Sequence, residues 1–253
     1  MSRIRYRISR ISDFDVREKS IINDFVISHM ERTLPDRDFN SQLMSHHLRE
    51  DDYATTAWDR ENGMLLGTIY YRVSTPSFTG KKVLFMICAV IDTDSESSGL
   101  ASRLAYLTVK KAMGIIPVHS IIFACRTAIP RLVSGWINNS GAYPRIIEET
   151  PERIKELAHD LADVFYPHSE YDRDEMIFRN CYGFSKDWSY EIDYDSIKSK
   201  DEEINDYFKK NIFYEKNGKL HTSAHALFML SEISLLSVIK YFFIRVKKRF
   251  IKR

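Results

Sequence analysis

The sequence predicts an α+β fold: a mixed, mostly antiparallel sheet flanked by helices, with a C-terminal extension. Three patterns predict it. Residues 54–59 and 64–74 read as strands on either side of Asn62-Gly63, a strong short hairpin signal, and a turn at 76–80 leads into a third strand at 83–91. A helical pattern then separates this meander from a further buried run at 120–125. Alternating residues at 4–11 supply a first strand, with helices between it and the meander.

Each element has a local reason. Asp13 or Asp15 can cap a helix running to about residue 34, where Pro35 stops it. Val16, Ile22, Phe25 and Val26 lie on its apolar stripe. Residues 39–49 read as a second, shorter helix carrying His46 and His47. Neighbouring positions on a helix do not face one another, so this pair is not read as a metal site. The helix at 130–138 opens on Pro130 and closes at Asn139-Ser140-Gly141. Beyond it, 151–165 is helical with Ala158, Leu161, Ala162 and Phe165 on one face, 176–179 is a short strand, and 201–210 is a helix. Asn217-Gly218 is a second turn signal, and 226–230 fits strand or helix. The pattern loses regularity near Arg145. We therefore expect a domain over 1–145, an extension packed on it over 146–222, and a tail over 223–253.

With 44% hydrophobic and 28% charged residues, the chain has the composition of a globular protein and not of a disordered one. Cys88 and Cys125 sit in apolar runs and, with Cys181, show no zinc spacing, so they are expected as thiols in a reducing cytoplasm. No signal-peptide core opens the sequence. The net charge of +2 hides an asymmetry, because residues 240–253 carry seven basic residues and no acidic one. A mildly acidic body with one basic end argues against nucleic acid as the main partner.

The strand at 83–91, the loop at 92–98 and the helix opening at Gly99 form a candidate anion site. The first N–H groups of a helix lack intrahelical partners and face the turn with the positive dipole end. Ser97, Ser98, Gly99 and Ala101 keep that backbone open to a diphosphate. An ordinary strand–loop–helix connection has the same pattern.

Residues 4–143 resemble the GNAT acyltransferases, which transfer acyl groups from coenzyme A thioesters to amines. The family hexapeptide, Gln or Arg, two residues, Gly, one residue, then Gly or Ala, falls on Glu96-Ser97-Ser98-Gly99-Leu100-Ala101. Gly99 and Ala101 match, and Glu96 departs. Trp136 and Gly141 match the later aromatic and glycine, while the frequent general-acid tyrosine falls on Ile137. The resemblance implies acetyl-CoA or another acyl-CoA as co-substrate. Its pantetheine would lie on the backbone of Ala89, Val90 and Ile91, and its diphosphate on Ser97, Ser98, Gly99, Leu100, Ala101 and Ser102. It further implies direct attack by an amine acceptor, a small molecule or a protein. Asp92 is the candidate base and Tyr143, or alternatively Tyr106, the candidate proton donor, with Asp94, Glu50, Asp51 and Asp52 as further acidic candidates. The departures at Glu96 and Ile137 leave open a catalytically degenerate binding or scaffolding module.

Residues 224–253 are apolar and then basic, with Leu227, Leu230, Leu235 and Val238 at mostly helical intervals. The uninterrupted apolar length falls short of a membrane span. Either a packed terminal helix or an amphipathic helix on an anionic membrane surface fits, the latter placing the protein peripherally on the inner membrane face.

Overall fold

The structure is a computed structural model of the chain. It describes residues 3–33, 48–92, 99–114, 120–146, 148–167, 169–179, 190–222 and 225–234. The fold is α+β with a mostly antiparallel sheet and flanking helices, as the sequence predicts. The chain divides into two compact units, Met1–Ser74 with Val83–Pro117, and Thr75–Lys82 with Val118–Arg253.

The first unit runs β1 (Ile4–Arg10), α1 (Val16–Thr33), β2 (Tyr53–Asp59), β3 (Leu65–Ser74), β4 (Lys82–Ile91) and α2 (Leu100–Gly114). Its strands lie in the order β1-β2-β3-β4, each antiparallel to the next. Asp15 starts α1 through a capping box. Its Oδ1 accepts from the Glu18 N–H at 2.8 Å, and Glu18 Oε2 accepts from the Asp15 N–H at 3.2 Å. Ile22 and Val26 then bury against Ala54, Trp58 and Tyr70. Val16, expected on this stripe, is 86% exposed. Six residues before Ile22, it lies about 120° away around the helix.

The opposite sheet face takes α2. Thr108 and Thr55 hydroxyls hydrogen-bond at 2.8 Å in the core. Gly67 on β3 lets α2 approach. A Cβ there would stand 2.8 Å from Ile91 Cδ1, 3.1 Å from Leu104 Cδ1 and 3.3 Å from the Val90 carbonyl oxygen. Gly67→Ala is expected to cost about 1–3 kcal/mol by overpacking, read as a lower midpoint in urea with an unchanged slope.

The second unit contains β5 (Ser120–Thr127), α3 (Pro130–Ser140), α4 (Glu152–Phe165), β6 (Glu170–Asp172), β7 (Ile177–Arg179), β8 (Tyr190–Glu191), α5 (Tyr194–Ile197), α6 (Glu202–Asn211), β9 (Phe213–Lys216), β10 (Lys219–Thr222) and β11 (Ala226–Ser234). Four strands order as β5-β11-β7-β6 and three more as β8-β10-β9. Gly141, in the left-handed region at φ 62°, ends α3 by donating to the Ile137 carbonyl oxygen. Asp201 caps α6, its Oδ1 accepting from the Glu203 N–H at 3.1 Å. Asn217 and Gly218, at φ 55° and 74°, join Lys216 to its partner Lys219 as a tight hairpin turn.

The compact units part after Pro117, and β5 pairs with β11 from Thr127↔Leu227 to Ser120↔Ser234 within the C-terminal one. Residues 226–234 are a strand and not part of an amphipathic helical tail. β11 lies between β5 and β7, and buries Leu227, Phe228, Met229 and Leu230 in succession. Such a run has no polar face to show water. β2 and β3 pair as the expected hairpin around Asn62-Gly63, through a connection wider than a two-residue turn. Trp58 pairs with Leu65 across it, next to a bulge after Ala57. The helix expected at 39–49 lies outside the described residues over 39–47, and Leu48 and Arg49 are not helical. Among the described residues, no helix is long and apolar enough to cross a membrane.

Candidate functional site

β4 supplies the first part of the site. Tyr70 pairs with Cys88 and Tyr71 with Met86, so Ile87 has no partner on β3 and forms a β-bulge. A bulge interrupts the ladder, turns the strand and re-aims the groups beside it. Past it, Ala89 is exposed in mid-strand, while Val90 is buried and Ile91 half-buried. The strand end is therefore open to solvent at Ala89. Asp92 follows, half-buried, its N–H donating to the Leu66 carbonyl oxygen at 2.9 Å.

The start of α2 supplies the second part. Gly99 has φ 76°, a conformation that costs an L-residue strain, and a Cβ there would meet open space. Glycine is needed for its backbone, not for room. Arg103 N–H donates to the Gly99 carbonyl oxygen at 3.1 Å and closes the first turn. Gly99, Ala101 and Ser102 are exposed, and Leu100 is buried as the anchor. No acidic residue lies in the first turn. Arg103 places its guanidinium over the rings of Tyr6 and Tyr106, at 5.9 and 5.8 Å. An exposed first turn beside a cation suits an anion such as a diphosphate. Ile91 and Leu104, both crowding Gly67, hold strand end and helix together.

Thus Ala89, Val90, Ile91 and Asp92 stand on one strand end, and Gly99, Leu100, Ala101 and Ser102 on one helix turn, all in the first unit. Ser97, Ser98, Glu96 and Asp94 lie outside the described residues. Tyr143 belongs to the second unit. Its backbone bridges Leu230 at 2.7 and 2.8 Å, and Arg145 lies over its ring at 5.2 Å.

Among the other acidic candidates, Asp52 is a structural group. Its two oxygens accept from Arg72 Nε and Nη2, each at 2.7 Å, and it is fully enclosed. Glu50 pairs with Lys19 at 3.1 Å. Burial pushes the Cys125 thiol up to about 12, which removes it as a nucleophile.

A cavity of about 490 Å³, which the sequence did not reveal, opens in the first unit beneath α1. Phe14, Ile22, Leu48 and Ala54 line its apolar part, and Lys19, Arg49 and Glu50 its polar part. Tyr70 also lines it. Burial, and then the neighbouring Cys88, raise the Tyr70 hydroxyl above the ordinary tyrosine range, so it is a neutral hydrogen-bonding group at physiological pH. The alternation of β3 could have put Tyr70 on the α1 face, but only the tertiary structure shows the space beside it.

No protein-family model and no curated protein matches this chain. Solved structures do match it. An acyl-CoA N-acyltransferase from Pseudomonas aeruginosa is 13% identical, with 48% of this chain and 78% of that one covered and a TM-score of 0.37. A ribosomal-protein-alanine N-acetyltransferase from Brucella melitensis biovar Abortus 2308 is 16% identical over 43% and 72% of the chains, at 0.33. An aminoglycoside acetyltransferase from an uncultured soil metagenomic sample, in complex with sisomicin, is 13% identical over 67% and 91%, at 0.37. These values are too low to assign the chain to a family.

Proposed function

We propose that this protein is an acyl-CoA-dependent N-acyltransferase of the GNAT type. The observation carrying the reading is the pairing, within one unit, of a bulged strand end exposed at Ala89 with a small, cationic helix start at Gly99. The first can bind an extended amide-bearing chain by backbone hydrogen bonds, and the second a diphosphate. An acyl-CoA supplies the activated acyl group. The amine nitrogen attacks the thioester carbonyl carbon, and the C–N bond forms as the C–S bond breaks. The amine proton passes to a base, for which Asp92 is the proposed group. The departing thiolate takes up a proton, and Tyr143 is the donor proposed from the sequence. Both roles are open to Asp92→Asn and Tyr143→Phe assays of thiol release.

Ala101→Asp separates cofactor binding from folding. A carboxylate in the first turn of α2 is expected to stabilise the helix by about 0.3–1 kcal/mol through the dipole. The same charge repels a diphosphate, so affinity for CoA should fall at least tenfold. Equilibrium binding and thermal unfolding of the one variant would show the two effects moving in opposite directions. Unchanged CoA affinity contradicts the proposed diphosphate site.

Glu96 and Ile137 favour a second reading, a binding module of the same fold without catalysis. Ile137 is half-buried on α3 and cannot donate a proton. CoA binding without thiol release for any amine would support it. The membrane-surface proposal narrows to residues 235–253, since 226–234 form β11.

A further inference from the structure

The cavity beneath α1 combines three features that select a ligand. Its wall is apolar at Phe14, Ile22, Leu48 and Ala54. Tyr70 is 5% exposed and lines this space. At the polar side Lys19 and Glu50 neutralise one another at 3.1 Å. Arg49 is exposed, lines the cavity and, among the described residues, has no ion-pair partner. A volume of about 490 Å³ lies in the range of small-molecule sites.

We propose that this cavity is the acceptor site and takes an amine with an apolar body and a carboxylate, the chemistry of an apolar amino acid or a short peptide with free ends. The assignment of the ligand as acceptor rests on the acyltransferase reading. The carboxylate meets the Arg49 guanidinium, the apolar body lies against Phe14 and Leu48, and the Tyr70 hydroxyl hydrogen-bonds the polar end that reaches it. A guanidinium takes a carboxylate by two parallel hydrogen bonds, which discriminates against an uncharged amide. Cys88, paired with Tyr70 across the sheet, is one residue past the bulge of β4. A ligand at Tyr70 therefore lies beside the strand proposed to hold the thioester.

Calorimetric titration of the full chain with leucyl-phenylalanine, and with its C-terminal amide, tests this. The free acid is expected to bind saturably and at least tenfold more tightly than the amide. Arg49→Ala should abolish that preference while leaving the amide's affinity unchanged. Tyr70→Phe should weaken both probes severalfold. Both variants keep the fold, since Arg49 is exposed and phenylalanine is nearly isosteric with tyrosine, and their unfolding midpoints provide the check. Equal affinity for acid and amide overturns the proposal. So does a preference that survives Arg49→Ala, or a Tyr70→Phe variant that binds as the parent does. Acetyl-CoA is titrated in parallel. Dipeptide preference without acetyl-CoA binding overturns the acyltransferase reading and leaves the cavity assignment standing. Acetyl-CoA binding without dipeptide binding does the reverse.

Discussion

Replacing Arg72 with methionine is expected to cost about 3–5 kcal/mol of stability, enough to unfold a marginal domain. Asp52 is enclosed completely and gives both oxygens to Arg72, each at 2.7 Å, while one also accepts from the Arg49 N–H at 2.8 Å. Methionine fills the volume of the aliphatic stem but leaves the carboxylate without its counter-charge. The penalty is the cost of an unpaired buried charge, not the net worth of the pair. The double variant Arg72→Met with Asp52→Leu should therefore recover most of the loss. Urea unfolding of parent, single and double variants reads this directly. A single variant within about 1 kcal/mol of the parent would mean that water reaches Asp52.

Phe228→Ala is expected to cost about 3–5 kcal/mol in the second unit. Phe228 is fully buried on β11, 5.1 Å from the Phe178 ring and 6.0 Å from the Tyr171 ring, with Tyr166 against Phe178 at 5.2 Å. Alanine removes one of the four rings of this cluster and leaves a cavity that the remaining three cannot close without moving. The same contacts forbid treating the C-terminus as a detachable tail. Truncation after Thr222 removes the partner of β5 along eight register positions and should abolish cooperative folding of the second unit. A truncated chain that keeps its near-ultraviolet dichroism would contradict this place for β11.

These cases show what the sequence could express. The capping box at Asp15 and Glu18, the stripe of α4 and the hairpin at Asn217-Gly218 are local, and their residues announce them. β11 was ambiguous because a strand buried on both faces lacks alternation, and Leu227 and Leu230 also suit a helix. The pairing of β5 with β11 joins residues a hundred apart and has no local sign. Within the candidate site, Gly99 and the run from Ala89 were visible as a motif. The bulge at Ile87 was not, since its sequence is that of any buried strand. Tyr70 was hidden for a different reason: its significance is the space next to it, which α1 and the residues from Leu48 enclose.

The central claim is that Gly99 and the first turn of α2 bind an acyl-CoA. Its most direct test is thermal unfolding of the full chain and of Gly99→Val, each with acetyl-CoA. Ligand at a hundredfold excess over its dissociation constant adds about 2.7 kcal/mol to the stability of the form that binds it. The account predicts a raised midpoint for the parent and none for Gly99→Val, because valine cannot hold φ 76° without strain and the first turn must shift. No shift for the parent at millimolar acetyl-CoA, or the same shift for both proteins, would contradict it.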